Sequence, residues 1–155
     1  MGNDYALAQS IRTEGRLWVM QQRFWLFGTA VYKDGSQIDT DTATRNARRF
    51  FNALDRFVLT RKEVDSGIRL PRLVFLETGR QRANTHIHFY IKGTHWTHYR
   101  TLYRHADRLW QRHIEGSNDL RITDNIEPNT DRAGYCWKEV RQHATDVLLV
   151  DCCHL

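Results

Sequence analysis

The chain has 155 residues, of which 26% are charged and 41% hydrophobic, a composition typical of one soluble globular domain. No apolar run is long enough to span a bilayer and no N-terminal stretch resembles a secretory signal, so we expect an intracellular protein without membrane contact. The net charge of +5 comes mainly from arginine, which recognises phosphate through a planar fork and so favours a polyanionic partner. The cysteines, Cys136, Cys152 and Cys153, form no disulfide or zinc pattern and are expected to be reduced thiols.

The predicted elements alternate between strands and helices within one domain, residues 1–155. Residues 1–22 are an extension of ambiguous structure, in which Gly15 is expected to interrupt a short helix. A run of aromatic and β-branched residues predicts the first strand over 24–32, and an apolar stripe at helical spacing predicts a helix over 41–62. The remaining predicted elements are strands 73–79 and 84–93, helix 98–113, strand 120–126, helix 133–143 and strand 147–150.

This order predicts an α+β fold with an antiparallel sheet of four to five strands and a ferredoxin-like, split βαβ core. The first two helices are expected to cover the apolar face of the sheet. The helix at 133–143 is then free to lie across the polar face, where the candidate functional residues converge.

The second and third predicted strands form a hairpin with candidate metal-binding residues on one face. Side chains two residues apart share a face of a strand, so His86 and His88 point the same way. With a four-residue loop, symmetric pairing places Glu77 opposite His86 and Phe75 opposite His88. An isolated His-x-His pair also occurs on solvated sheet faces, but a carboxylate in register favours a metal site. Such donors suit magnesium, manganese or zinc, and magnesium or manganese is the expected ion.

Basic residues near the hairpin are candidates for binding nucleic acid. They are Arg80 and Arg82 in the loop and Lys92 at the end of the third strand. A row of arginines at four-residue intervals in the helix at 98–113 forms a basic edge, which is either a solvated face or an anion-binding one.

Tyr135 and Lys138 lie three residues apart in the last predicted helix and so share one face. Together with Glu77, His86 and His88 they resemble the motifs of the HUH endonuclease superfamily, and specifically the single-tyrosine replication initiator (Rep) proteins of rolling-circle replication.

The resemblance extends from about residue 24 to about residue 150, with the first family motif on the first strand. Several relatives carry glutamine four residues after the second histidine, where this chain has Lys92, and Glu77 is then the candidate third ligand. The resemblance implies sequence-specific nicking and joining of single-stranded DNA. Tyr135 would attack phosphorus to leave a 5′-phosphotyrosine and a free 3′-hydroxyl, while Lys138 would position or neutralise the phosphate or assist proton transfer.

The resemblance also implies partners and a compartment. Single-stranded DNA or an origin hairpin is the expected substrate. The chain has no Gly-rich ATP-binding loop, so we expect either a separate host or viral helicase or a longer parent protein. The compartment would be the cytoplasm for a bacterial or phage protein and the host nucleus for a protein of a eukaryotic virus.

Other functions are compatible with the same residues. An HUH transposase or relaxase would share the chemistry in another DNA context. A non-catalytic module that binds RNA or single-stranded DNA would stack bases on Phe75 and Tyr90. A zinc-dependent hydrolase would use metal-bound water and would not need Tyr135. Tyr99 and Tyr103 have the spacing of two-tyrosine relatives but are expected to serve in packing.

Overall fold

A computed structural model describes residues 2–79, 84–125 and 131–155. The helices and strands in chain order are α1 (Gly2–Gln21), β1 (Leu26–Tyr32), α2 (Thr40–Val58), α3 (Arg61–Asp65), β2 (Arg72–Glu77), β3 (His86–Ile91), α4 (Trp96–His113), β4 (Ser117–Asp124) and α5 (Arg132–Cys136). Across these described ranges, no helix is both long and apolar enough to cross a membrane.

The sheet has four antiparallel strands in the order β2-β3-β1-β4. Because α2 connects β1 to β2 and α4 connects β3 to β4, this is the predicted split βαβ arrangement. The predicted hairpin register is confirmed, since Glu77 pairs with His86 and Phe75 with His88. The predicted strand at 147–150 is wrong, because its pairing is limited to an isolated bridge between Leu148 and Phe75.

One face of the sheet packs against α2 and α4. The apolar stripe of the helix predicted over 41–62 lies on α2 and is buried there, at Ala43, Ala47, Phe50, Phe51 and Leu54. This helix ends before the predicted boundary at 62, because Thr60 forms a capping box with Glu63 that starts α3.

The opposite face carries a second hydrophobic core in addition to its polar residues. Leu73, Phe75 and Tyr90 are buried there against α1 and the segment around α5. The expectation that Gly15 interrupts the first helix is wrong, since α1 continues through it. A Cβ at Gly15 would lie 2.5 Å from the Trp137 ring, so this glycine permits close packing of α1 against that tryptophan.

The last helix is shorter than predicted. It ends at Cys136, and Lys138 lies in the turn that follows. The Asp146 carboxylate accepts hydrogen bonds of 2.9, 2.8 and 3.0 Å from the backbone N–H groups of residues 141, 142 and 143. These bonds replace the pattern that would continue the helix to 143.

Candidate metal centre

Glu77, His86 and His88 meet at one end of the β2–β3 hairpin. His88 Nε2 lies 2.8 Å and His86 Nε2 3.0 Å from Glu77 Oε2. Glu77 and His88 are buried, and His86 is partly exposed. In the part of the chain that the structure describes, only this group of His, Cys, Asp and Glu side chains is arranged to hold an ion, with its ligand atoms within 4.8 Å of one another. The predicted ligands are therefore brought together.

Further hydrogen bonds orient both imidazole rings. His86 Nδ1 lies 2.9 Å from the backbone carbonyl oxygen of Asn84, and His88 Nδ1 lies 3.0 Å from the hydroxyl oxygen of Thr29 on β1. A carbonyl oxygen only accepts, so the Nδ1 atom of His86 carries a proton and its Nε2 presents a lone pair when the ring is neutral. Histidines that bind metals are commonly held in this way.

The spacing of the donors also fits a divalent ion. In an octahedral site with bonds of about 2.1 Å, neighbouring ligand atoms lie about 3.0 Å apart. The distances from Glu77 Oε2 to the two histidines, 2.8 and 3.0 Å, are close to this value. A set of one carboxylate and two imidazoles leaves positions for water or substrate, as catalytic sites require.

Tyr135 and Lys138 approach the other carboxylate oxygen of Glu77. The Tyr135 hydroxyl donates to Glu77 Oε1 at 3.2 Å, and the Lys138 ammonium donates to the same oxygen. The ammonium also lies 3.5 Å from the centre of the Tyr135 ring, which packs nearly perpendicular to the His88 ring. Tyr135 is 45% exposed, so a substrate can reach it beside the candidate metal centre.

These contacts determine the charges of the groups. Burial raises the pKa of Glu77, but hydrogen bonds from His86, His88 and Lys138 outweigh burial and hold this pKa far below its ordinary value. Burial lowers the pKa of His88. Burial also acts to lower the pKa values of His86 and Lys138, but their hydrogen bonds to Glu77 contribute to a net increase in both. At neutral pH the site therefore contains a carboxylate, a neutral His88 and an ammonium group.

Glu139 is a further residue of this region, which the sequence motifs did not identify. Its carboxylate accepts hydrogen bonds of 2.8 Å from Thr78 N–H, 3.0 Å from the Thr78 hydroxyl and 2.9 Å from Gly79 N–H. These bonds join Thr78 and Gly79, which follow Glu77 in the chain, to Glu139, which follows Lys138. No local pattern indicates this contact, because its partners are far apart in the chain.

An open groove of about 420 Å³ crosses β1 and β4 beside the candidate metal centre. It is lined by Phe27, Thr29, Val31, Asp119, Arg121, Thr123 and Arg132. Phe27 stacks on His88 with ring centres 5.5 Å apart, so the groove begins at the metal ligands. Alternation along β1 places Phe27, Thr29 and Val31 on one face, but the pairing of β1 with β3 was needed to place that face beside the histidines.

Of the basic residues predicted to bind nucleic acid, the structure describes only Lys92. Arg80 and Arg82 lie outside the described residues. The Lys92 ammonium donates to the backbone carbonyl of Gln22 at 3.2 Å and lies over the Phe24 ring. Lys92 is about 13 Å along the strand from His88 and joins the end of α1 to the sheet, and its contact with nucleic acid stays a prediction.

The fold and the site define an α+β protein with a ferredoxin-like sheet and a candidate divalent-metal centre beside an accessible tyrosine. Comparisons with models of protein families, with curated proteins and with solved structures found no match. A function therefore has to be inferred from the residues of the site itself.

Proposed function

We propose that the protein is a metal-dependent endonuclease that nicks and rejoins single-stranded DNA through a covalent phosphotyrosine, as an initiator of rolling-circle replication. The main support is the convergence of four side chains on Glu77. His86 and His88 approach one carboxylate oxygen, and Tyr135 and Lys138 approach the other. A hydrolase that activates water would not need a tyrosine hydroxyl at this position.

Glu77, His86 and His88 would hold the ion, and we propose magnesium or manganese. When bound, the ion offsets charge on the non-bridging oxygens of the scissile phosphate and aligns that group for attack. The Tyr135 hydroxyl oxygen forms a bond to phosphorus while the bond from phosphorus to the 3′ oxygen breaks. The phenolic proton passes to water and the leaving 3′ oxygen takes up a proton. Attack by a 3′-hydroxyl on the phosphotyrosine reverses these steps and rejoins the strand.

Lys138 would assist Tyr135 through its charge. Its ammonium lies 3.5 Å from the centre of the Tyr135 ring, where it stabilises negative charge that develops on the phenol during attack. The pKa of Lys138 is raised overall, so its ammonium group is charged at neutral pH. It is also near enough to the Tyr135 hydroxyl to act as a counter-ion for the attacked phosphate.

The groove over β1 and β4 is the proposed path of the DNA strand. Arg132 and Arg121 line it, the latter paired with Asp119 at 3.0 Å, and Phe27 supplies an aromatic ring next to His88. Positive charge combined with aromatic rings is typical of surfaces that bind single strands. A strand in this groove would pass directly beside Tyr135.

The alternative of a non-catalytic RNA-binding or DNA-binding module is less well supported. It required Phe75 and Tyr90 to stack against bases. Both side chains are buried, with exposures of 0% and 1%, in the core that includes α1 and the segment around α5. The expected stacking platform is therefore covered.

Incubation with a labelled pool of single-stranded oligonucleotides, in the presence of Mg²⁺ or Mn²⁺, tests the proposal. We expect nicked DNA and a denaturation-resistant adduct, with the nucleotide attached to Tyr135 by mass spectrometry. Tyr135→Phe removes only the hydroxyl, so both products should disappear while metal binding persists. Cleavage by this variant at the wild-type rate would instead indicate a water nucleophile, and an adduct on Tyr99 or Tyr103 would indicate a two-tyrosine enzyme.

A further inference from the structure

We infer that the solvent face of α4 is a second nucleic-acid-binding surface, which contacts the phosphate backbone of a duplex. Four exposed arginines form this surface, here named the arginine row: Arg100, Arg104, Arg108 and Arg112. The opposite face of α4 is buried against the sheet through Leu102, Ala106, Leu109 and Trp110. This is the sheet face that does not carry Glu77, so the arginine row is separate from the candidate metal centre.

The geometry of the arginine row suits an extended polyanion. Positions four residues apart in an α-helix are separated by about 6 Å along its axis, so the row extends over about 18 Å. One strand of duplex DNA presents a phosphate every 3.4 Å or so along its axis, about five phosphates over that length. Each step of four residues also turns by about 40° about the helix axis, so neighbouring arginines of the row can contact successive phosphates of one backbone.

Ion pairing varies among the exposed arginines of the described residues, and Arg45, Arg49 and Arg56 of α2 resemble the row in forming no ion pair with a carboxylate. Arg16, Arg48 and Arg61 form ion pairs with Asp131, Asp151 and Asp65, respectively. Among the described residues, by contrast, none of the four arginines of the row forms an ion pair with a carboxylate, and Arg100 lies over the ring of Trp96. Within the described residues, the positive charge of the arginine row therefore has no carboxylate counter-ion.

Asp107, the single acidic residue in the sequence of α4, is engaged elsewhere. Its carboxylate accepts hydrogen bonds of 2.7 Å from the Leu120 backbone N–H and 2.9 Å from the Gln111 side chain. Like charges four residues apart on a helix repel each other, so the arginine row is unfavourable without an anion nearby. A bound phosphate backbone would remove this repulsion.

Two features favour a duplex over an unpaired strand. Between Arg104 and Arg112 the exposed face has no phenylalanine, tyrosine or tryptophan on which a base could stack, because Trp110 is fully buried. Trp96 and Tyr103 are exposed beside the N-terminal part of the row, but Arg100 lies over the Trp96 ring and the Tyr103 hydroxyl donates to Asp124. Arginine contacts to phosphate carry no sequence information, so they suit a segment whose bases remain paired. The row would hold a duplex next to the nicked strand, and duplex binding there does not require cleavage.

The double variant Arg104→Gln/Arg108→Gln tests this inference against the control Arg61→Gln/Lys62→Gln. Both variants remove two positive charges from exposed helical positions, and circular dichroism checks that both fold. Binding to a short blunt duplex is measured across a series of salt concentrations in EDTA. Each phosphate contact contributes about 0.9 to the steepness of log affinity against log salt. We therefore expect this steepness to decrease by about 1.8 in the row variant and to stay unchanged in the control.

Equal changes in the two variants would overturn the inference, because net charge alone would then explain binding. Tighter binding of the wild type to a single strand than to a duplex of equal length, lost in the row variant, would overturn the choice of duplex. Cleavage of a short single-stranded oligonucleotide is a separate measurement and should be unchanged in the row variant. If the wild type cleaves no DNA but the slope changes as expected, the proposed endonuclease function fails and the second surface stands.

Discussion

Two buried carboxylates on opposite sides of the sheet have very different surroundings. Asp55 of α2 pairs with Arg72 of β2, at 2.9 and 3.0 Å from Arg72 Nη1 to the two carboxylate oxygens, and it also accepts the Leu70 N–H at 3.0 Å. Asp55 and Arg72 are only 1% and 2% exposed. Glu77, at the other end of β2, instead contacts side chains that reach solvent, including the half-exposed Tyr135.

The difference between these carboxylates lies in whether their partners can exchange. The Asp55 pair is enclosed in the core, and Arg72 is held further by the carbonyl of Cys152. The histidines around Glu77 can bind an ion through Nε2, and Lys138 can turn to a phosphate. We therefore expect Asp55 to determine stability and Glu77 to determine metal binding and activity.

The largest expected change in stability comes from Asp55→Asn. This substitution keeps the shape of the side chain but leaves the Arg72 charge buried without its counter-ion, which costs about 3–5 kcal/mol. Urea unfolding followed by circular dichroism measures the loss. The control Asp65→Asn breaks the exposed pair with Arg61 and should cost about 0–1 kcal/mol. Equal losses in the two variants would contradict the structural role assigned to Asp55.

Glu77→Gln is expected to remove stabilisation by metal. At an ion concentration of about 100 times Kd, binding to the folded wild type adds about 2.7 kcal/mol to the free energy of unfolding. Thermal unfolding with Mn²⁺ and with EDTA measures this difference, which should vanish in Glu77→Gln. Calorimetry of a His86→Ala/His88→Ala double variant provides the complement, and unchanged Mn²⁺ affinity in it would reject the site.

The sequence was sufficient to predict the hairpin part of the site because the relevant patterns are local. Alternation places His86 and His88 on one face, and the short connection fixes their register with Glu77. The spacing of Tyr135 and Lys138 is local too, although a helix end and a turn bring them together rather than one continuous helix.

The features that sequence reasoning missed depend on contacts between distant parts of the chain. The local sequence predicts a helix break at Gly15, because the packing of this glycine against Trp137 is not visible in it. The predicted helix at 133–143 is an exception, because the Asp146 carboxylate accepts hydrogen bonds from backbone N–H groups only three to five residues earlier, a local competition with the helix that the apolar pattern does not reveal. Thr29 could be placed beside His88 only once the order of the strands was known.

Glu139→Gln is expected to reduce cleavage with a smaller effect on stability. An amide has one acceptor oxygen in place of two, so it cannot accept all the hydrogen bonds from Thr78 and Gly79, and a loss of about 1–2 kcal/mol follows. Because these bonds join the Glu77 strand to the Lys138 turn, we expect kcat for cleavage to fall about tenfold, equivalent to about 1.4 kcal/mol, with KM little changed.

Thr78→Val is the matched control for Glu139→Gln, because it removes only the hydroxyl bond and leaves both backbone N–H bonds to Glu139. It should have the smaller effect on kcat. Metal affinity should persist in both variants, since Glu139 lies outside the group of candidate ligands. An unchanged kcat in Glu139→Gln would show that the contacts of Glu139 with Thr78 and Gly79 contribute to stability alone.

The smallest expected effects come from Tyr99→Phe and Tyr103→Phe on α4. The Tyr99 hydroxyl donates to the Gly93 carbonyl at 2.9 Å, and the Tyr103 hydroxyl donates to the Asp124 carboxylate, so each substitution should cost about 0.5–1.5 kcal/mol of stability. Burial, followed by the contact with Asp124, raises the pKa of Tyr103 to about 12, which makes its phenolate harder to form. Neither hydroxyl has the ammonium contact that Lys138 provides to Tyr135. Both variants should therefore cleave at the wild-type rate in a single-turnover assay. Loss of cleavage in either variant would mean that a tyrosine of α4 takes part in the reaction, and the contrast between the two faces of the sheet would then not hold.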